Sequence, residues 1–175
     1  MSALSILQPI HHPTFIHHKI SVQVKRDDQI DKVISGNKWR KLKYNLLHAK
    51  AIGAEGIITF GGCFSNHIHA CALACQLQQQ FPDYLIVPEG GSNALALTGM
   101  AEVIAELNQQ GEFDTLITPV GSGGTLAGLI FADKAQHELM GISVLKQDGY
   151  LEQQVNELLP EAAKSYRNWQ VMNQF

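Results

Sequence analysis

Charge is the first thing this 175-residue chain is short of: 17% of its residues are Asp, Glu, Lys or Arg, against roughly 25% in an average globular domain. No basic excess makes up for it, since 13 Lys and Arg face 16 Asp and Glu, for a formal charge of -3. Nucleic-acid backbones are bound by releasing counterions onto a basic face, so this balance argues against nucleic acid as a partner. Long apolar runs are missing too. The longest, Ala70–Cys75, has six residues, where roughly 20 are needed to cross a bilayer, so no membrane partner is expected. The chain does not open on a basic stretch followed by an apolar one, and nothing there marks it for export. Cysteine is sparse: Cys63, Cys71 and Cys75 cannot all pair with one another and show no zinc spacing. Reduced thiols in a cytoplasmic protein fit that usage. What is present, 45% apolar residues, is enough for a packed core and excludes a disordered chain. At ~150 residues per domain, the length gives one domain, or one and a small part of another.

Glycine punctuation and hydrophobic period give the order of elements. Ile20–Val24 alternates and runs into Lys25-Arg-Asp-Asp28, a short strand ending at solvent or at a site, within a first thirty-odd residues that otherwise read as loop. His11-His12 and His17-His18 are adjacent pairs whose members point opposite ways on extended backbone, so solvated histidines fit better than metal ligands. Asn37 is the candidate cap of a helix reaching Ala51, with Trp39, Leu42 and Leu46 as its apolar stripe. Gly56–Phe60 reads as a buried strand, Gly61-Gly62 as its turn, and Ser65-Asn66 as the start of a second helix through Cys71 and Cys75. Tyr84–Val87 is another strand, ending at Pro88-Glu-Gly-Gly-Ser-Asn93 and followed by a helix from about Leu95 to Gln109. Phe113–Val120 is a third strand with Gly121-Ser-Gly-Gly-Thr125 as its turn, and the next helix is expected from Leu126 to about Leu139. A last helical pattern runs through Leu151, Val155, Leu158 and Leu159. Strand, glycine turn and helix in repetition make an α/β fold with a parallel sheet.

Three of these junctions carry residues suited to chemistry. In Gly121-Ser122-Gly123-Gly124-Thr125 a strand hands over to a helix, so successive N–H groups and the positive helix end face one point, as a phosphate requires. No Gly-Lys-Ser/Thr follows, and the glycines crowd too closely for the dinucleotide fingerprint. Read alone, the turn also fits a tight turn with no ligand. Lys38 follows its cap into a first helical turn, where the dipole disfavours a cation, and Arg40 and Lys41 add like charge. Both effects favour the neutral amine that attacks a carbonyl, although from this segment alone a solvated lysine reads better. Ser65-Asn66 offers main-chain N–H groups, a hydroxyl and an amide to a carboxylate, or is merely a helix cap. Together, a phosphate cradle, a reactive lysine and a carboxylate cradle are what a pyridoxal phosphate enzyme acting on an amino acid needs. Cys71 and Cys75 share a helix face as small apolar side chains, and Glu89 is assigned no chemistry.

Five segments occur in an order that resembles a known family: Lys25-Arg-Asp-Asp28, Gly36-Asn-Lys-Trp-Arg-Lys-Leu42, Gly61-Gly-Cys-Phe-Ser-Asn-His67, Pro88-Glu-Gly-Gly-Ser-Asn93 and Gly121-Ser-Gly-Gly-Thr125. They are similar to the 1-aminocyclopropane-1-carboxylate deaminase / D-cysteine desulfhydrase family of tryptophan-synthase-β-like (fold type II) pyridoxal phosphate enzymes, over about Val22 to Leu129. The resemblance implies an α/β, parallel-sheet fold of that type with an incomplete small domain. Residues 1–35 and 82–175 would form an incomplete large cofactor-binding domain, and 36–81 the remnant of the small one. It implies pyridoxal 5'-phosphate as cofactor, Lys38 as the lysine of its aldimine and Asn66 as partner of its phenolic oxygen. Gly121, Ser122, Gly123, Gly124 and Thr125 would hold the phosphate. Ser65 would be catalytic or contact the substrate carboxylate, with Asn66 and His67 beside it. The substrate would be a small amino acid, converted to a 2-oxo acid and ammonia by a homodimer without a metal.

Two departures shape the expectation. Family chains carry further strands and helices between the Ser-Asn-His helix and the Pro-Glu-Gly-Gly-Ser-Asn strand, and continue past the position of Phe175 to supply a tyrosine beside the ring and the partner of the pyridine nitrogen. Phe64 stands where close members usually carry glutamine. The expected result is a poorly active or inactive chain of this family. The alternatives are a non-catalytic remnant, or a sibling lyase or synthase acting on serine or cysteine derivatives.

Overall fold

The N-terminal segment is more ordered than its loop-like composition predicts. In the computed structural model, which describes residues 5–31, 33–34, 36–59, 61, 84–144 and 149–173, β1 (Leu7–Ile10) pairs antiparallel with β2 (Val22–Lys25), Leu7 opposite Lys25. Pro9 interrupts the alternation that would have revealed β1, and an edge strand tolerates it. Between the strands lies the one-turn helix α1 (Pro13–His17), where His12 Nδ1 accepts the Thr14 N–H at 3.2 Å. His12 therefore has a local capping task.

Helix α2 (Lys38–Ala51) buries the expected stripe. Leu42 and Leu46 meet Ile34 and Val87 in a small core flanked by Trp39, Ile57 and Leu85. β3 (Gly56–Thr59) and β4 (Tyr84–Val87) pair parallel, with Gly56 opposite Tyr84. β4, which the expected division puts with the large unit, is thus bonded to a strand from the smaller one. Residues 62–83, which include the expected second helix and all three cysteines, lie outside the described residues.

A second parallel sheet, in the order β5 (Thr115–Val120), β6 (Glu138–Ser143), β7 (Trp169–Met172), is joined by α4 (Gly124–Asp133) and α5 (Tyr150–Leu158). The helix expected to reach Leu139 stops at Asp133 instead. Lys134 and Ala135 take left-handed backbone, and the Asp133 carboxylate accepts from the Gln136 and His137 N–H groups at 2.9 and 3.0 Å. Leu139 belongs to β6 and joins Val120, Leu126, Ile130, Leu151 and Val155 in the main core. β7 was not expected either, because Trp169–Met172 is short and half-exposed.

Helix α3 (Ala94–Gln110) lies against both α2 and α4. A side chain at Gly99 would collide with the Arg40 carbonyl oxygen, so glycine sets how near α2 can come. On its other flank Met100, Val103, Ile104 and Leu107 pack with Leu129 of α4. Arg40 is the polar counterpart of this packing. Only 2% exposed, its guanidinium forks onto Asp27 (2.7 and 2.8 Å) and Glu106 (2.9 Å twice). Lys25 adds a 2.7 Å ion pair to Glu106. Burial works to raise the Glu106 carboxyl, but the hydrogen bonds from Arg40 and Lys25 prevail and hold it below the usual range.

Gly99→Ala should force α2 and α3 apart at the cost of about 1–3 kcal/mol, the usual penalty for overpacking a tight contact. Urea unfolding followed by circular dichroism measures it, and a loss under ~0.5 kcal/mol would show that the helices separate freely.

Candidate active site

Asn37 occupies the cap position of α2, but its side chain does not cap the helix as predicted. Its Nδ2 donates instead to Thr125 Oγ1 at 2.7 Å, across 88 residues of sequence. Its Oδ1 accepts from Lys38 Nζ at 3.3 Å. The start of α2 and the start of α4 are therefore fastened together, with Lys38 next to the residue that bonds Thr125. Lys38 is half-buried there.

The turn has the form its glycines suggest. Gly123 is the left-handed cap of α4, at φ 76°, and Gly124 is the first helical residue. A carbon at Gly124 would crowd Ser92 and come within 3.0 Å of Lys41 Nζ. The space over the helix start is thus narrow, polar and open only to a residue without a side chain. Two of its walls, Lys41 and Ser92, lie in the segments that carry the resemblance but have no ligand role assigned from the sequence. Lys41 Nζ donates to Ser92 Oγ at 2.9 Å, and Ser92 Oγ lies 2.7 Å from Ser122 Oγ. Ser92 comes from the 88–93 loop, where Glu89–Gly91 form a short 3-10 turn.

Lys41 is the electrostatic centre of this site. It is 1% exposed, and no carboxylate among the described residues lies within ion-pair distance of it. Burial, followed by the charge on Lys38, pulls its amine down to about 7. Arg40, expected to press on Lys38 as a like charge, faces the Asp27 and Glu106 carboxylates instead. The like charge near Lys38 is Lys41. Their three-residue spacing on one helix face was the available signal. Ser65, Asn66 and His67 lie outside the described residues. No group of three or more His, Cys, Asp or Glu suited to a metal occurs among the described residues. None of the described helices is long and apolar enough to cross a membrane.

A buried amine, two hydroxyls and a helix start at Gly124 are groups that suit an anion with several oxygens, such as a phosphate monoester. Comparison with known proteins bears on what carries it. The model of a family described as pyridoxal-phosphate dependent enzyme matches residues 37–150. A Thermotoga maritima protein, provisionally named 1-aminocyclopropane-1-carboxylate deaminase, is 30% identical over 164 residues, covering 62% of this chain and 53% of its own length. The Arabidopsis thaliana protein named bifunctional D-cysteine desulfhydrase/1-aminocyclopropane-1-carboxylate deaminase, mitochondrial, is 25% identical, covering 68% of this chain and 48% of its own. The crystal structure of an ACC deaminase homologue superposes with a TM-score of 0.78 at 22% identity, over 98% of this chain and 72% of that one. Threonine deaminase isoform 2 from Solanum lycopersicum gives 0.67 at 14% identity, over 97% and 65%. The chain spans about half the length of the curated relatives it matches. Because 62% of 175 residues is fewer than the 164 matched, the Thermotoga protein carries residues inside the matched span that this chain lacks.

Without an anion, Lys41 is protonated in the unfolded chain up to about pH 10 but neutral in the folded one above about 7. The unfolded state then binds more protons, so stability should rise with pH across that window. Sulfate, whose charge is constant there, should raise the melting temperature more at pH 6.5 than at pH 9, because only the ammonium attracts it. Lys41→Met should abolish both effects and melt no lower than wild type without sulfate. Differential scanning fluorimetry decides, and a sulfate response unchanged in Lys41→Met would remove Lys41 from the site.

Proposed function

The chain belongs to the family of pyridoxal-phosphate dependent enzymes, and from that premise we propose that it is a deaminase or desulfhydrase acting on a small amino acid through Lys38. Its fold is that of the tryptophan-synthase-β-like, fold type II members: α/β, with parallel sheets between helices. The observation that carries the reading is the cradle beside Gly124, where Lys41 and Ser92 meet and Ser92 bonds to Ser122, with no carboxylate among the described residues in ion-pair reach of Lys41. Those residues fit the cofactor's phosphate. When bound, pyridoxal phosphate supplies an aldehyde for amines and a ring that accepts electrons from the substrate's α-carbon.

The chain's own residues have separable tasks. Lys41 neutralises the phosphate, and Ser122 donates to it through the hydroxyl chain that Lys41 orients. The Asn37–Thr125 bond keeps the first turn of α2 beside the first turn of α4, so the Lys38 amine stays within reach of whatever the cradle anchors. Lys38 Nζ then holds or moves the proton at the reacting carbon as general base and acid. Ser65, with Asn66 and His67, is assigned to the substrate carboxylate, and Asn66 also to the cofactor ring. The products are a 2-oxo acid and ammonia, the assembly is a homodimer in the cytoplasm, and 36–81 forms the smaller unit. One observation favours a second reading, cofactor binding without turnover: the relative's additional residues inside the matched span.

The wild-type chain should develop a visible absorption band with pyridoxal phosphate, and borohydride reduction should leave the pyridoxyl group on Lys38. Lys38→Ala should show neither. Low but measurable 2-oxo acid release from D-cysteine or 1-aminocyclopropane-1-carboxylate supports the deaminase reading. A band with no turnover of either supports the second reading, and no band at all overturns both.

A further inference from the structure

The face of α2 that carries Lys38 and Lys41 continues one turn further to Asn45, which is fully buried. Asn45 Nδ2 donates to the Lys41 carbonyl oxygen at 2.8 Å and to Asn93 Oδ1 at 3.3 Å. In return Asn45 Oδ1 accepts from Asn93 Nδ2 at 2.7 Å. Asn93 Oδ1 also accepts the Ala96 N–H at 3.0 Å, which caps α3. Two amides bonded in both directions fix distance and rotation together, which a single hydrogen bond does not. A leucine at 45 would carry no polar group to desolvate but would leave the Asn93 amide without this partner, so the amide pair contributes orientation more than burial.

What the pair orients is specific. Asn45 holds the main chain of Lys41, and Asn93 adjoins Ser92, the residue that the Lys41 side chain reaches. The circuit from the Lys41 carbonyl through Asn45, Asn93 and Ser92 returns to Lys41 Nζ. We infer that Asn45 and Asn93 are positioning residues of the phosphate cradle, setting Ser92 between Lys41 and Ser122 and so fixing the cradle's distance from Lys38. This rests on the cofactor reading above.

Asn45→Leu removes the pair, and Asn93→Ser removes it while keeping a good cap for α3. Each is made in the full chain, titrated with sulfate and with pyridoxal phosphate, reduced with borohydride and mapped by peptide mass. Both variants should bind sulfate about tenfold more weakly, the effect of one lost contact. Part of the pyridoxyl group should move from Lys38 to Lys41, a redistribution that a purely structural defect would not cause. The double variant should bind no more weakly than the worse single one, since both remove the same pair. If Asn45→Leu does not fold, Asn93→Ser alone carries the comparison. Wild-type affinity and attachment solely at Lys38 in the folded variants, whatever their melting temperatures, would overturn the inference and leave the cofactor reading intact. A wild-type chain that binds neither sulfate nor the aldehyde would overturn both.

Discussion

Two helices in this fold begin at the same place, and both begin positive. The first turns of α2 and α4 are bound together by the 2.7 Å bond between Asn37 and Thr125. Each helix start carries about half a unit of positive charge, and α2 adds the amines of Lys38 and Lys41. Nothing acidic among the described residues answers Lys41, which is why its proton is held so weakly. Burial and the neighbouring Lys38 charge both make it costly to keep that amine protonated in the folded chain. An anion bound beside the start of α4, as proposed, would reverse the sign of these terms.

Holding such a point together requires attachments elsewhere, and α2 has one on each flank. Leu42 and Leu46 anchor it to Ile34 and Val87. Gly99 lets α3 come against its backbone. Arg40 ties it to the N-terminal segment through Asp27 and to α3 through Glu106. Arg40 and Lys41 are consecutive, so on a helix they point about 100° apart, and their surroundings differ completely. Arg40 is buried with two carboxylates and is a structural cation. Lys41 is buried with hydroxyls and, among the described residues, without a carboxylate in reach. The Lys25–Asp28 segment belongs to the first arrangement, since Lys25 and Asp27 both serve the cluster around Arg40.

This difference explains what the sequence could and could not convey. Glycine turns and apolar periods are local, and they located α2, β3, β4, α3, β5 and the 121–125 turn to within a few residues. The end of α4 was missed because Lys134 and Ala135, neither of them glycine, adopt left-handed backbone there. β1 and β7 were missed because four-residue strands with one proline or mixed exposure have too little alternation. Within the site, Lys38 and the glycine turn carry their own signals. The roles of Lys41, Ser92 and Asn37 depend on partners 51 and 88 residues away. A run of three cations within four residues cannot say which one meets carboxylates; only the packing of α3 and of the turn after β2 decides that.

The cradle also shows why affinity and turnover can part company in this chain. Asn37, Lys41, Asn45, Ser92, Asn93 and the 121–125 turn all lie within residues 37–150, the span matched by the family. The described contacts among them lie within that span, although a relative has extra residues inside it. A phosphate far from the reacting bonds is gripped equally before and during reaction, so this grip lowers no chemical barrier by itself. Rate must come from groups that meet the changing atoms, a role proposed for Lys38, whose surroundings are described. The relative's additional residues inside the matched span therefore bear first on catalysis, while the described contacts of the proposed anion site come from three short segments packed around α3.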